Sequence, residues 1–127
     1  MPDLFTIGYE ATILDRVLDA LLEAGVTDLV DKIGMEILSG PHVKYVNDVG
    51  NKGFTTVTII KTSHISMHVW DELDPKLVQL DVYSCACFDP QDVFDHFESF
   101  EPVKVSYKFL DREDGMHEID AAWTFKR

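Results

Sequence analysis

Hydrophobic and polar residues alternate over several stretches of the chain, a pattern typical of strands with one buried face. The clearest stretch is 54–60, where threonine alternates with large apolar residues of high strand propensity. Further strands are predicted at 4–7, 27–38, 43–49, 63–70, 78–88, 103–110 and 118–125. The glycine-containing segment 47–53 is predicted to be a loop that returns the chain in a hairpin.

Two segments have helical spacing instead. Thr12 is expected to cap the first helix, and Gly25 is expected to end it in a left-handed conformation. Asp89 and Pro90 are expected to open the second helix, as cap and first helical residue. The apolar positions of the two helices are Ile13, Leu14, Val17, Leu18, Leu21 and Leu22 in the first, and Val93, Phe94, Phe97 and Phe100 in the second.

These elements predict a two-layer α/β (α+β) sandwich with two helices on one face of a mainly antiparallel sheet. The 127 residues are expected to form a single domain, 1–127, and the 46% hydrophobic share argues against disorder. Two helices cover a sheet of six or more strands incompletely. A protein partner on the uncovered surface is therefore expected.

The formal net charge of -12 disfavours nucleic acid and anionic membranes as partners, and it attracts cationic ligands. No apolar run approaches the roughly 20 residues of a membrane span, and the first residues lack the basic character of a signal peptide. The spacing of Cys85 and Cys87 suits neither a disulfide nor a zinc knuckle. We therefore expect a cytoplasmic protein with free thiols and no metal.

Reactive side chains are concentrated in one part of the predicted sheet. Segment 61–72 contains Ser63, His64, Ser66, His68, Trp70 and Glu72. A second polar stretch, Asp81-Val82-Tyr83-Ser84-Cys85, follows after a turn. This density of polar chemistry is unusual for strands that serve only a core.

These two motifs resemble the hallmark sequences of the small prokaryotic S-adenosylmethionine decarboxylases, Glu-Ser-His-Ile-Ser-Ile-His-Thr-Trp-Pro-Glu and Asp-Val-Phe-Thr-Cys. The similarity is strong between about residues 55 and 90. Members of that family make a pyruvoyl cofactor from an internal serine and work as dimers. The resemblance implies the same two-layer fold, and it implies a homodimer or higher homo-oligomer.

The resemblance implies self-cleavage between Thr62 and Ser63. Ser63 attacks the Thr62 carbonyl, the peptide bond becomes an ester, and elimination and hydrolysis leave a pyruvoyl group at position 63. His68 is then expected to handle the proton during processing. The Thr55 hydroxyl is expected to steady the tetrahedral adduct, at a position where the family has serine.

In turnover, the pyruvoyl ketone is expected to form a Schiff base with the amine of S-adenosylmethionine and to accept the electrons left by carbon dioxide. Cys85 matches the family's proton donor, and Glu72 matches the glutamate that holds the ribose hydroxyls. The product would feed polyamine (spermidine) biosynthesis. His64 is expected to be a buried, structural histidine, and Cys87 a structural cysteine.

Two of the chain's departures from the family pattern bear on processing and on substrate binding. Thr62 replaces a glutamate, and Val49 replaces the phenylalanine that stacks on adenine. Phe5 or Tyr45 would be replacement stacking faces. These departures leave two alternatives open, namely a pyruvoyl-dependent decarboxylase of arginine or ornithine, and an unprocessed relative that serves as a binding or regulatory subunit.

Overall fold

The computed structural model describes residues 5–13, 25–73, 75–98, 102–113 and 115–125. Seven strands in this part of the chain form one antiparallel sheet. They are β1 (Phe5–Ile13), β2 (Ile37–Val46), β3 (Gly53–Ile60), β4 (Ser63–Trp70), β5 (Lys76–Ser84), β6 (Lys104–Asp111) and β7 (His117–Phe125). Their spatial order is β2-β3-β4-β5-β1-β6-β7. The first strand in sequence therefore lies between β5 and β6, pairing with both.

Two helices are described, α1 (Val26–Lys32) and α2 (Pro90–Glu98). Their buried side chains join the inward residues of the central strands in one core cluster. The inward residues of β4 and β5 in this cluster are Ile65, Met67, Val69, Val78, Leu80 and Val82. The predicted α+β architecture, with helices packed on a mainly antiparallel sheet, is confirmed.

On β3 two threonines face the core and two of the large apolar residues face outward, the reverse of the usual pattern for a half-buried strand. Thr56 and Thr58 face the core with exposures of 1% and 0%, whereas Val57 and Ile59 face outward with exposures of 39% and 44%. The hydroxyl oxygens of the two threonines are buried without a hydrogen-bond partner among the described residues. Apolar area is thus left on the sheet face opposite the core, which we call the outer face.

Most predicted strands are confirmed, with shifted ends. The strand predicted at 4–7 extends to Ile13, so Thr12 lies in β1 and does not cap a helix. The strand predicted at 78–88 begins at Lys76 and ends at Ser84, which leaves Cys85 and Cys87 beyond it. Residues 14–24, which contain the rest of the first predicted helix, lie outside the described residues, as does Phe100.

The strand predicted at 27–38 is wrong for most of its length, because α1 occupies its first part. Val26, Leu29, Val30 and Ile33 follow helical spacing and are buried together. Asp28 in the first turn and Lys32 in the last complement the helix dipole. Gly25 precedes this helix in a right-handed conformation, with φ -59° and ψ -48°, so the predicted left-handed stop is also wrong.

The second predicted helix is confirmed as α2. The Asp89 carboxylate accepts a hydrogen bond from the Gln91 backbone N–H at 2.9 Å, as expected of a cap. Val93 and Phe97 are buried, and Phe94 packs against Tyr107 with ring centroids 4.3 Å apart. Among the described helices, none is long and apolar enough to cross a membrane.

Replacing Ile65 in the core by alanine should lower the free energy of unfolding by about 2–5 kcal/mol, because the removed methylenes leave a cavity in a packed interior. Ile119→Ala is the matched control, since that isoleucine is 53% exposed on β7 and should change stability by less than about 1 kcal/mol. Urea denaturation of both variants measures the difference. Equal losses would contradict this assignment of the core face.

Candidate functional site

The connection between β3 and β4 consists of Lys61 and Thr62, and Ser63 follows it as the first residue of β4. Ser63 has a backbone φ of 145°. It is the one residue other than glycine with positive φ in the described part of the chain. Such a conformation costs a side-chain-bearing residue of order 1–3 kcal/mol. The peptide bond between Thr62 and Ser63 therefore lies at a strained turn.

The residue before this bond is held through both its main chain and its side chain. The Thr62 carbonyl oxygen accepts a hydrogen bond from the Cys85 backbone N–H at 2.8 Å. The Thr62 hydroxyl accepts a hydrogen bond from the Ser84 Oγ at 3.0 Å, and it contacts the Met35 Sδ at 2.8 Å. The Lys61 N–H also donates to the Glu36 carbonyl at 3.0 Å. These contacts fix the turn from two sides.

The Ser63 hydroxyl has one histidine directly beside it. Its Oγ lies 3.2 Å from the His64 Nδ1. The expectation that His64 is a buried structural residue is wrong, because its side chain is exposed on the outer face and contacts the serine. The imidazole ring stacks on Tyr83 of the neighbouring strand, with an interplanar angle of 4° and centroids 5.6 Å apart.

A second group of predicted site residues lies at the opposite end of β4. Thr55 and His68 are direct partners across β3 and β4, and the Thr55 Oγ1 lies 3.3 Å from the His68 Nδ1. Both line a pocket with a volume of about 280 Å³. The other residues that line the pocket are Val46, Asn51, Gly53, Phe54, Val69 and Trp70.

Glu72 organises the loop beside this pocket. Its Oε2 accepts hydrogen bonds from the backbone N–H groups of Gly50 at 3.0 Å and Lys52 at 3.4 Å. The nearby Trp70 is oriented by a 3.0 Å hydrogen bond from its Nε1 to the Asn51 Oδ1. The loop between β2 and β3 is therefore tied to the end of β4 by two side chains.

The predicted site residues thus form two groups in one chain. Ser63 and Cys85 lie at the turn. Thr55 and His68 line the pocket, and Glu72 binds the loop beside it. His68 is five residues along β4 from Ser63, which corresponds to about 17 Å at roughly 3.3 Å per residue. A single chain therefore does not bring Ser63 and His68 into contact.

The two cysteines differ in their surroundings. Cys85 is half-buried next to the turn, while Cys87 is exposed. Both lie beyond the end of β5, so they are not successive residues on one strand face. The expected packing role for Cys87 is wrong, because an exposed side chain contributes little to a core.

The aromatic residue that lines the pocket beside Asn51 is Trp70, and not Tyr45 as the sequence suggested. Val49, at the family's phenylalanine position, is 91% exposed. Tyr45 packs edge-on against Phe54, and partial desolvation together with the Asp71 carboxylate raises the pKa of its phenol. Trp70, by contrast, lines the pocket itself. The side chain of Phe5 lies outside the described part of β1.

Ser84 and Met35 are site residues that the sequence did not single out for any contact. Ser84 belongs to the quoted motif and precedes Cys85, so the motif itself offered a signal. Met35 offered none, because its contact with Thr62 depends on the fold bringing together residues 27 positions apart.

The fold and the site define a two-layer α+β protein with a serine-centred turn between two central strands. A family model described as S-adenosylmethionine decarboxylase matches residues 6–113. The chain belongs to the S-adenosylmethionine decarboxylase family.

Two relatives and one solved structure illustrate the relationship. The chain is 41% identical over 64 residues to an S-adenosylmethionine decarboxylase proenzyme of Pyrobaculum islandicum, and 36% identical over 64 residues to that of Pyrobaculum arsenaticum. Each match covers 49% of this chain and 50% of the relative, so the chain spans about half the length of these relatives.

The crystal structure of the adenosylmethionine decarboxylase from Aquifex aeolicus has a similar fold. The TM-score is 0.61 at 21% sequence identity, and the match covers 94% of this chain and 96% of that chain. The similarity in fold therefore extends over nearly all of the chain.

Replacing Glu72 by alanine should speed amide hydrogen exchange at Gly50 and Lys52 by about tenfold, because each N–H loses a carboxylate acceptor. Glu36→Ala is the matched control, since Glu36 pairs with Lys61 at the other end of β3. Exchange at Gly50 and Lys52 should stay at the parent rate in the control. Unchanged rates in Glu72→Ala would show that the loop is held by other contacts.

Proposed function

We propose that this chain is a self-processing S-adenosylmethionine decarboxylase that acts in spermidine biosynthesis. Cleavage between Thr62 and Ser63 gives one chain of residues 1–62 and a second chain that begins with a pyruvoyl group at position 63. Membership of the family supports the reaction. The contacts around the peptide bond between Thr62 and Ser63 support this bond as the site of cleavage.

The observation that carries the proposal is the set of contacts around the bond between Thr62 and Ser63. The Cys85 N–H, 2.8 Å from the Thr62 carbonyl oxygen, can stabilise negative charge on that oxygen as the serine attacks. The positive φ of Ser63 places strain next to the bond that breaks. The hydroxyl, the held carbonyl and the strained backbone fit the formation of a pyruvoyl group here.

The pyruvoyl group, once formed, supplies an electron sink for decarboxylation of an amine-bearing substrate. Cys85 follows the strand that pairs with Ser63, and its thiol is proposed to return a proton to the substrate after carbon dioxide leaves. Because the Cys85 contact with Thr62 uses the backbone N–H, that contact is independent of the thiol. One residue can therefore serve both reactions.

The pocket is proposed to hold the adenosyl part of the substrate. Trp70 offers an aromatic face, fixed by Asn51, in place of the family's phenylalanine. The Glu72 carboxylate uses Oε2 for the loop, and its Oε1 is proposed to accept the ribose hydroxyls. The formal charge of -12 favours a substrate that carries a sulfonium and an amine.

We further propose that two chains complete each active site. The outer face exposes Val57 and Ile59, and such apolar area favours burial against a second copy. A two-fold axis that lies between two stacked outer faces and runs across the strands would place the Ser63 end of β4 in one chain opposite the His68 end in the other. Ser63 of one chain would then face His68 of its partner, although the two residues are roughly 17 Å apart within one chain.

The purified protein should consist of two chains, because the nucleophile, the held carbonyl and the strained turn are all present. Intact mass spectrometry under denaturing conditions measures this directly. The mass of the second chain should correspond to a pyruvoyl group at position 63, and that chain should resist Edman degradation. Ser63→Ala should remain a single chain. An uncut parent chain after long incubation would contradict the proposal.

Co-expression of Cys85→Ala with Glu72→Gln should restore about a quarter of the parent decarboxylase activity, although each variant alone is nearly inactive. Random pairing makes half of the dimers mixed, and each mixed dimer has one intact site of two. Release of labelled carbon dioxide from S-adenosylmethionine measures the activity.

The matched control co-expresses the parent with the Cys85→Ala/Glu72→Gln double variant. Shared sites predict about a quarter of the parent activity, because every site of a mixed dimer then contains one changed residue. Sites confined to single chains predict about half of the parent activity. That value, together with no restored activity when Cys85→Ala and Glu72→Gln are co-expressed, would contradict the two-chain site.

A further inference from the structure

We infer that His64 is the base that activates Ser63 for self-cleavage, an inference that rests on the processing proposed above. The His64 Nδ1 lies 3.2 Å from the Ser63 Oγ, within reach for proton transfer. A serine hydroxyl is a weak nucleophile until an adjacent base accepts its proton. The structure thus places a base next to the nucleophile within the same chain.

The other candidate base in the chain is His68. It lies about 17 Å along β4 from Ser63, and its Nδ1 contacts the Thr55 hydroxyl. His68 reaches the serine only from a second chain, whereas His64 needs no assembly. The distances therefore favour His64 for the first proton transfer, and His68 remains available for later steps.

The imidazole of His64 is held in place by a neighbouring aromatic ring. His64 and Tyr83 are register partners on β4 and β5, and their rings stack almost in parallel. The Arg112 guanidinium lies over the Tyr83 ring, 4.8 Å from its centroid. This stack restricts the rotation of the imidazole and keeps Nδ1 directed at the serine. Tyr83 and Arg112 are thus positioning residues.

With its own proton on Nε2, His64 accepts the Ser63 hydroxyl proton at Nδ1, and Oγ forms a bond to the Thr62 carbonyl carbon. The negative charge on the carbonyl oxygen is stabilised by the Cys85 N–H. The bond between the Thr62 carbon and the Ser63 nitrogen then breaks. The proton held on His64 passes to that nitrogen, leaving an ester and an amine.

The chain contains a natural comparison for this contact. The Ser39 Oγ lies 2.7 Å from the His42 Nε2, an even shorter serine–histidine distance on β2. Ser39 has no positive φ, unlike Ser63. A histidine contact alone therefore does not distinguish Ser63 from Ser39. Ser63 differs because its histidine contact is combined with a strained backbone and a neighbouring carbonyl polarised by the Cys85 N–H.

The test measures the rate of self-cleavage in freshly purified His64→Ala by intact mass. Cleavage should slow by about a hundredfold or more, the usual effect of removing a general base. Added imidazole should restore part of the rate, because it fills the vacated space and accepts the proton. His64→Gln should be slow and should not respond to imidazole, and His42→Ala should cleave at the parent rate. Thermal denaturation identifies variants that have lost the fold.

Hydroxylamine separates the two halves of the reaction, because it cuts the ester after Thr62. The His64→Ala chain should yield little hydroxylamine product, since it is slow before the ester forms. Accumulated ester would overturn the inference, as would cleavage at the parent rate. Slow cleavage in His68→Ala with normal cleavage in His64→Ala would instead assign the base to the second chain. An uncut parent chain would overturn both this inference and the proposed function.

Discussion

The pairing register of β4 is the constraint on which the site depends. Because only Lys61 and Thr62 separate β3 from β4, the register between these strands is fixed by the turn itself. That register sets Thr55 opposite His68, and the next ladder sets Ser63 opposite Ser84. A slip of one residue would move every side chain of β4 to the other face, and both groups of site residues would be lost together.

Much of this arrangement was accessible from the sequence. The alternating stretches predicted the central strands, and the motif around Ser63 indicated both the family and the bond of interest. The start of α2 was predicted from Asp89 and Pro90, because capping is a local property that neighbouring residues determine. Local rules were sufficient wherever the structure depends on local contacts.

The failures occur where the fold brings distant parts together. Periodicity indicates that β3 has two different faces, but it does not say which face lies inward, and the threonines rather than Val57 and Ile59 are buried. The contact of Met35 with Thr62 depends on the tertiary fold in the same way. His64 is exposed because neither of the two described helices covers the outer face of the sheet, and no single strand pattern predicts which face is covered.

The strand order bears on the two fragments that the proposed cleavage would produce. β1, β2 and β3 precede position 63, while β4 to β7 follow it, yet β1 is inserted between β5 and β6. These fragments would therefore be interleaved, with three ladders joining them: β3 to β4, β1 to β5 and β1 to β6. Separating them would require dismantling the centre of the sheet. A nicked molecule would thus behave as one inseparable folding unit, and neither fragment would be expected to persist alone.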